Sequence, residues 1–154
     1  MTANAHAVTQ TEEVAVLTIE RRFAASPDVV FNAWANPVNV ARWMGPGKCQ
    51  TTVDQQAFTV GGTYRWIMNE PDGQHIVSGK FLEIARPTRL AFTWAWEFED
   101  WGGVETIVEL DFLADGDGTR LVLAHSKLPS IEARDKHDEG WCGCLDKLEN
   151  HVGT

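Results

Sequence analysis

The chain has 154 residues, with 13 basic and 22 acidic side chains and a formal charge of −9, which argues against nucleic acid and anionic membrane surfaces as partners, since phosphate contacts need clustered Lys and Arg. At 44% hydrophobic and 23% charged residues it has the composition of a soluble globule, long enough to bury its own core as one domain and without an apolar run of the ~20 residues a transmembrane helix needs. Seven Trp stand beside a single Tyr, and their positions organise the reading.

The amino terminus lacks both the basic and the apolar regions of a secretory leader, so residues 1–12 are read as a flexible tail and 13–154 as the single domain. Residues 14–23 alternate loosely with Val, Leu, Ile and Phe, as a first strand does. Ser26-Pro27-Asp28 then combines a hydroxyl cap, proline at the first helical position and an acid in the positive first turn, opening a helix with Val30, Phe31 and Trp34 on one side. Asn36-Pro37 repeats the signal for a short second helix through Val40 and Trp43, which Gly45-Pro46-Gly47 ends. The pair makes a V-shaped corner.

From Cys49 onward turns come at hairpin spacing: Gly61-Gly62, Pro71-Asp72-Gly73, Pro87, Gly102-Gly103 and Asp115-Gly116-Asp117-Gly118. The runs between them, 49–58, 63–68, 75–84, 90–97, 104–112 and 119–126, predict six strands of an antiparallel meander. Alternation groups Tyr64 with Trp66 and Met68, Leu90 with Phe92, Trp94 and Trp96, Val108 with Leu110 and Phe112, and Leu121 with Leu123 and His125. Arg65 and Glu97 take the opposite parity and are expected in solvent. Glu83 is in phase with Gly79 and Phe81, and its face stays open.

At ~100° per residue, His137, Trp141, Cys144, Leu145, Leu148 and Val152 fall within one arc of ~100°, so the last helix has an apolar face aimed at the sheet. Gly140 and Gly143 interrupt it, each costing ~1 kcal/mol against Ala. They point to a close backbone approach to the sheet, to space kept open beside Trp141, or to glycines merely tolerated. The order of elements describes an α+β domain in which a curved antiparallel sheet wraps one long carboxyl-terminal helix.

Cys49, Cys142 and Cys144 are too few for a disulfide framework and fit a reducing, cytoplasmic setting. On a helix Cys142 and Cys144 stand ~200° apart and cannot share a metal, so no metal is expected. The sequence holds no nucleophile elbow, phosphate loop, dinucleotide fingerprint or paired-histidine zinc motif, so no cofactor is expected either.

Seven stretches in order carry a resemblance: residues 21–27, Ala41-Arg42-Trp43-Met44-Gly45-Pro46, Gly61-Gly62-Thr63-Tyr64-Arg65, Leu82-Glu83-Ile84, Arg89-Leu90-Ala91-Phe92-Thr93-Trp94, residues 118–126 and His137-Asp138-Glu139-Gly140-Trp141. Together they resemble the bacterial relatives of the heat-shock-protein-90 ATPase activator carboxyl-terminal domain, within the SRPBCC (START-like, birch-pollen-allergen-like) superfamily, over roughly residues 14–152. The resemblance implies a helix-grip fold with a deep cavity between sheet and terminal helix, used across the superfamily for apolar ligands. It implies no fixed catalytic residues. The eukaryotic activator grips the chaperone with a separate amino-terminal domain for which this chain has no room, so a chaperone partner is not expected.

The residues placed around such a cavity are Trp34, Trp43, Tyr64, Trp66, Met68, Phe81, Trp94, Trp96, Val108, His125, Trp141 and Cys144. Aromatic lining suits a small-molecule site and is equally what a core looks like. His125 is read in two ways: as a polar anchor or general acid/base in an apolar cavity, or as a strand-end histidine bonded to loop backbone before Pro129. An inward Glu83 or Glu20 is a candidate to pair with His125 or Arg21. Residues 97–101 form an acidic hairpin tip with Trp101 as an exposed contact point. The leading expectation is a protein that binds a small apolar or aromatic ligand. The alternatives are a cofactor-free cyclase- or aromatase-like enzyme using His125 with Tyr64 or an inward acid, and an interaction role as chaperone accessory or homodimer.

Overall fold

The computed structural model describes residues 16–98 and 101–153. The tail assigned to residues 1–12, and Glu99 and Asp100 of the hairpin tip, lie outside them.

The helix signals act where the sequence places them. Ser26 caps α1 (Pro27–Ala35) by accepting the Val29 N–H at 3.4 Å. Asn36 ends α1, donating its N–H to the Asn32 carbonyl, and its side-chain oxygen caps α2 (Pro37–Trp43) by accepting the Val38 N–H at 2.9 Å. One residue therefore stops one helix and starts the next, and the corner is closed by Trp34 meeting Trp43 edge-on at 4.6 Å. The Trp43 indole donates to the Ala33 carbonyl at 2.9 Å.

The strands are β1 (Leu17–Phe23), β2 (Gln50–Gln56), β3 (Thr63–Glu70), β4 (Gly73–Ala85), β5 (Arg89–Trp96), β6 (Thr106–Asp115) and β7 (Gly118–Ser126). Every neighbouring pair is antiparallel, in the order β1-β7-β6-β5-β4-β3-β2. The predicted meander runs from β2 to β7, and β1 closes the far edge beside β7. The curved sheet grips α3 (Ile131–Val152), whose cap is Ser130 accepting from the Ala133 N–H at 3.0 Å. The fold is α+β and helix-grip-like. No helix among the described residues is long and apolar enough to cross a membrane.

Alternation correctly gives the inward faces. Tyr64, Trp66, Met68, Leu90, Phe92, Trp94, Val108, Leu110, Phe112, Leu121 and Leu123 are buried, as is the α3 stripe of His137, Trp141, Cys144, Leu145 and Leu148. Parity fails at one place for a visible reason. A bulge shifts the β4–β5 register between Phe81 and Glu83, so Phe81 is buried while Glu83 turns out to Arg89 at 2.9 Å. Next to it Gly79 is required by contact: a Cβ there meets the Thr93 carbonyl oxygen at 2.1 Å. Arg65 and Glu97 do lie on the outer face, where they bond to each other at 2.8 and 3.0 Å.

Candidate functional site

Consecutive antiparallel strands reverse direction, so the β3–β4 turn, the β5–β6 turn and the start of α3 all gather at one end of the sheet. There α3 leaves a pocket of about 260 Å³, near the lower end of the ~300–1,000 Å³ usual for ligand sites. Of the nominated residues, Met68, Trp94, Trp96, Trp141 and Cys144 reach its wall. Trp34, Trp43, Tyr64, Trp66, Phe81 and Val108 belong instead to the packed core. Strand parity tells the inner face from the outer, and says nothing of which stretch of that face the helix covers. The wall also takes in Cys49, Glu70, His75, Trp101, Lys136, His137 and Gly140, which the sequence reading does not nominate. The signal that finds Glu70, His75 and Trp101 is their place in or beside turns at the same end of the meander.

Besides His75, two histidines stand at this end, His137 in the wall and His125 behind it, and hydrogen-bond accounting fixes the state of these two. His125 is fully buried. Its Nδ1 accepts the Trp141 indole N–H at 3.1 Å, and its Nε2 lies 2.7 Å from the Thr106 hydroxyl. That hydroxyl spends its own hydrogen on the Trp94 carbonyl at 2.7 Å, so His125 Nε2 carries the proton and donates it. His137 is the mirror case. Its Nε2 accepts the Trp96 indole N–H at 2.9 Å, which leaves Nδ1 to donate to the Ala133 carbonyl at 2.6 Å. Both imidazoles are therefore neutral. Burial, reinforced by the His137 ring 5.0 Å away, holds His125 well below the usual histidine range, and burial also lowers His137.

This arrangement corrects the expectations for His125. Its partners are a hydroxyl and an indole, not loop backbone before Pro129, and it stands outside the pocket wall with both ring nitrogens engaged. Among the described residues the candidate partners are engaged elsewhere: Glu83 pairs with Arg89, Glu20 approaches Arg120 at 3.9 Å and Arg21 bonds Asp146 at 2.6 Å. The Tyr64 hydroxyl is committed to the Thr93 carbonyl. The convergent polar pair that a cyclase-like mechanism built on His125 and Tyr64 needs is not formed.

At the rim, the Cys49 thiol donates to Glu70 Oε1 at 3.1 Å, and Glu70 Oε2 lies 3.0 Å from His75 Nε2. A thiol, a carboxylate and an imidazole are thus in line, with the carboxylate next to the sulfur. That order opposes a thiolate. Burial and the Glu70 hydrogen bond push the Cys49 thiol up to about 12, and burial takes Cys144 to about 12 as well, so neither is a nucleophile at neutral pH. The same thiol bond, with His75 beside it, holds the Glu70 carboxyl below the ordinary carboxylate value and keeps it ionised. Among the described residues no group of three or more His, Cys, Asp or Glu is placed to hold a metal.

The two helical glycines of α3 do different things. A Cβ on Gly140 meets nothing within 4 Å, so this residue keeps space open beside Trp141. A Cβ on Gly143 meets Pro46 Cβ at 2.8 Å, a close approach to the loop after α2 rather than to the sheet. Lys147 pins the same loop, its Nζ donating to the Gly45 and Cys49 carbonyls at 2.8 and 2.9 Å. Trp101 also departs from expectation. It is half-buried, folded against the His137 ring at 5.4 Å with the Lys136 ammonium 5.6 Å above it, and it forms part of the pocket wall.

A family profile described as activator of Hsp90 ATPase homolog 1-like protein matches residues 24–153. Among solved structures, the chain is similar to a protein of Chromobacterium violaceum at 22% identity and a TM-score of 0.83, covering 91% of this chain and 98% of that one. It is similar to an AHSA1 protein of Silicibacter pomeroyi at 29% identity and 0.79, covering 90% and 98%. CalU16 from Micromonospora echinospora follows at 26% identity and 0.67, covering 89% and 75%. No curated protein matches.

Proposed function

Because the chain belongs to the family of activator of Hsp90 ATPase homologue 1-like proteins, whose SRPBCC fold is that of a general ligand-binding domain, we propose that it holds a small apolar or aromatic molecule between the sheet and α3. The observation that carries the reading is the pocket itself, walled by Trp94, Trp96, Trp101 and Trp141 and kept open by Gly140. Trp and Met side chains supply the apolar surface that drives such binding, and the few polar groups sit at one rim, as in most small-molecule sites. Binding without chemistry is favoured because His125 and His137 have both ring nitrogens engaged and the wall thiols are held protonated. A reducing, cytoplasmic setting, which the three free cysteines suit, belongs to the same proposal.

Native mass spectrometry of freshly purified protein, followed by titration of Trp emission with a panel of small hydrophobic probes, tests the reading. The expected result is saturable quenching that Gly140→Leu removes while the circular dichroism spectrum is kept, since the added side chain enters open space. An unresponsive wild-type protein across the panel overturns it.

A further inference from the structure

The pocket is rich in π-surface, and among the described residues the Trp94 indole N–H is a buried wall donor left without a partner. The indole N–H groups of Trp96 and Trp141 are turned onto His137 and His125, so these rings offer the pocket carbon and π-density. Glu70 contributes an ionised carboxylate to the wall, bonded to the Cys49 thiol with His75 and Asp72 beside it. The one lysine of the wall, Lys136, is balanced by Glu132 at 3.7 Å and already rests its ammonium over the Trp101 ring. The chain as a whole carries −9. An anion entering this site meets a carboxylate and few donors, whereas a cation meets tryptophan faces and a counter-charge.

Resting on the reading of the pocket as a ligand site, we propose that its ligand is an organic cation with no hydrogen to donate, a quaternary ammonium on a compact apolar body, with its charge held between the tryptophans and Glu70. Cation–π attraction is strongest for Trp and suits a cation that is weakly hydrated. The lysine over Trp101 shows this geometry within the chain itself.

The test uses a matched pair of probes, phenyltrimethylammonium and tert-butylbenzene, which have the same shape and differ in charge. Both are titrated into the full chain in phosphate buffer, followed by Trp emission and calorimetry. The cation is expected to bind about tenfold more tightly than its neutral isostere. Glu70→Gln is expected to shrink that ratio about threefold while leaving the neutral probe unaffected. Equal binding of the two probes, or tighter binding of tert-butylbenzene, overturns the cationic ligand and leaves the pocket reading standing. Failure of both probes to bind overturns the two together. The comparison on wild-type protein needs no variant to fold.

Discussion

The two ends of the gripped face are both built from aromatic side chains and do opposite things. At the closed end Tyr64, Trp66, Phe81 and Phe92 pack ring against ring, with centroids 4.2 to 6.1 Å apart. There the Trp66 indole N–H is taken by Gln56, whose amide in turn reaches the Trp34 and Ala35 carbonyls. At the open end Trp94, Trp96, Trp101 and Trp141 have neighbours on one side and a pocket on the other, and histidines take the indole hydrogens of two of them. What separates a core from a site here is not ring chemistry. It is whether the space facing the rings is filled, as by Trp34 against Phe92, or left open, as beside Gly140.

The largest expected effect tests the closed end. Phe92 is fully buried among five aromatic rings, so Phe92→Ala should lower stability by about 3–5 kcal/mol in urea unfolding. Trp96→Ala, at the half-open wall, should cost clearly less; equal losses would erase the distinction between the two ends. Acid should act on the open end. His125 and His137 have folded values below that of the unfolded chain, so the unfolded state takes up protons first as pH falls. Stability is then complete above about pH 6.5, the unfolded histidine value, and declines below it toward the lowered folded values. Urea midpoints at pH 7.5 and 5.5 measure this, and His125→Gln should flatten the difference; a flat wild-type profile contradicts the neutral-histidine assignment.

The smaller effects compare the two helical glycines. Gly143→Ala forces a methyl group against Pro46, and overpacking of about 1–3 kcal/mol outweighs the ~1 kcal/mol gained in helix propensity. A modest loss in thermal stability is the expected outcome. Gly140→Ala meets nothing and should stabilise by roughly 0.5–1 kcal/mol. Opposite signs at positions three residues apart on one helix would sharpen the contrast, and matching signs would show that the pocket edge is no more open than the loop contact.

Much of this architecture was legible in the sequence because it depends on local chemistry. Ser26, Asn36 and the two prolines that follow them dictate the helical corner, and period-two alternation separates the inner from the outer face. The placement of β1 beside β7 was not legible, since nothing local to residues 17–23 names its partner. The inner aromatics could be identified as a set, yet not divided between core and wall. That division depends on where α3 crosses the sheet and on a bulge at Phe81–Glu83 with no unique local signature. His125 was correctly placed facing inward, but its chemistry was set by Thr106 and Trp141, both distant in sequence. Trp101 was misread because an acidic turn predicts exposure, whereas the ring folds back onto His137.

The indole rings of the corner and of the pocket form one connected series: Trp43 to Trp34 at 4.6 Å, Trp34 to Trp141 at 5.9 Å, Trp141 to Trp94 at 4.9 Å and Trp94 to Trp96 at 5.4 Å. Excitation absorbed anywhere along that series can migrate through all of it. The chain's ultraviolet emission is then a pooled signal, in which a molecule touching Trp96 at the rim also dims light that began at Trp43 in the helical corner.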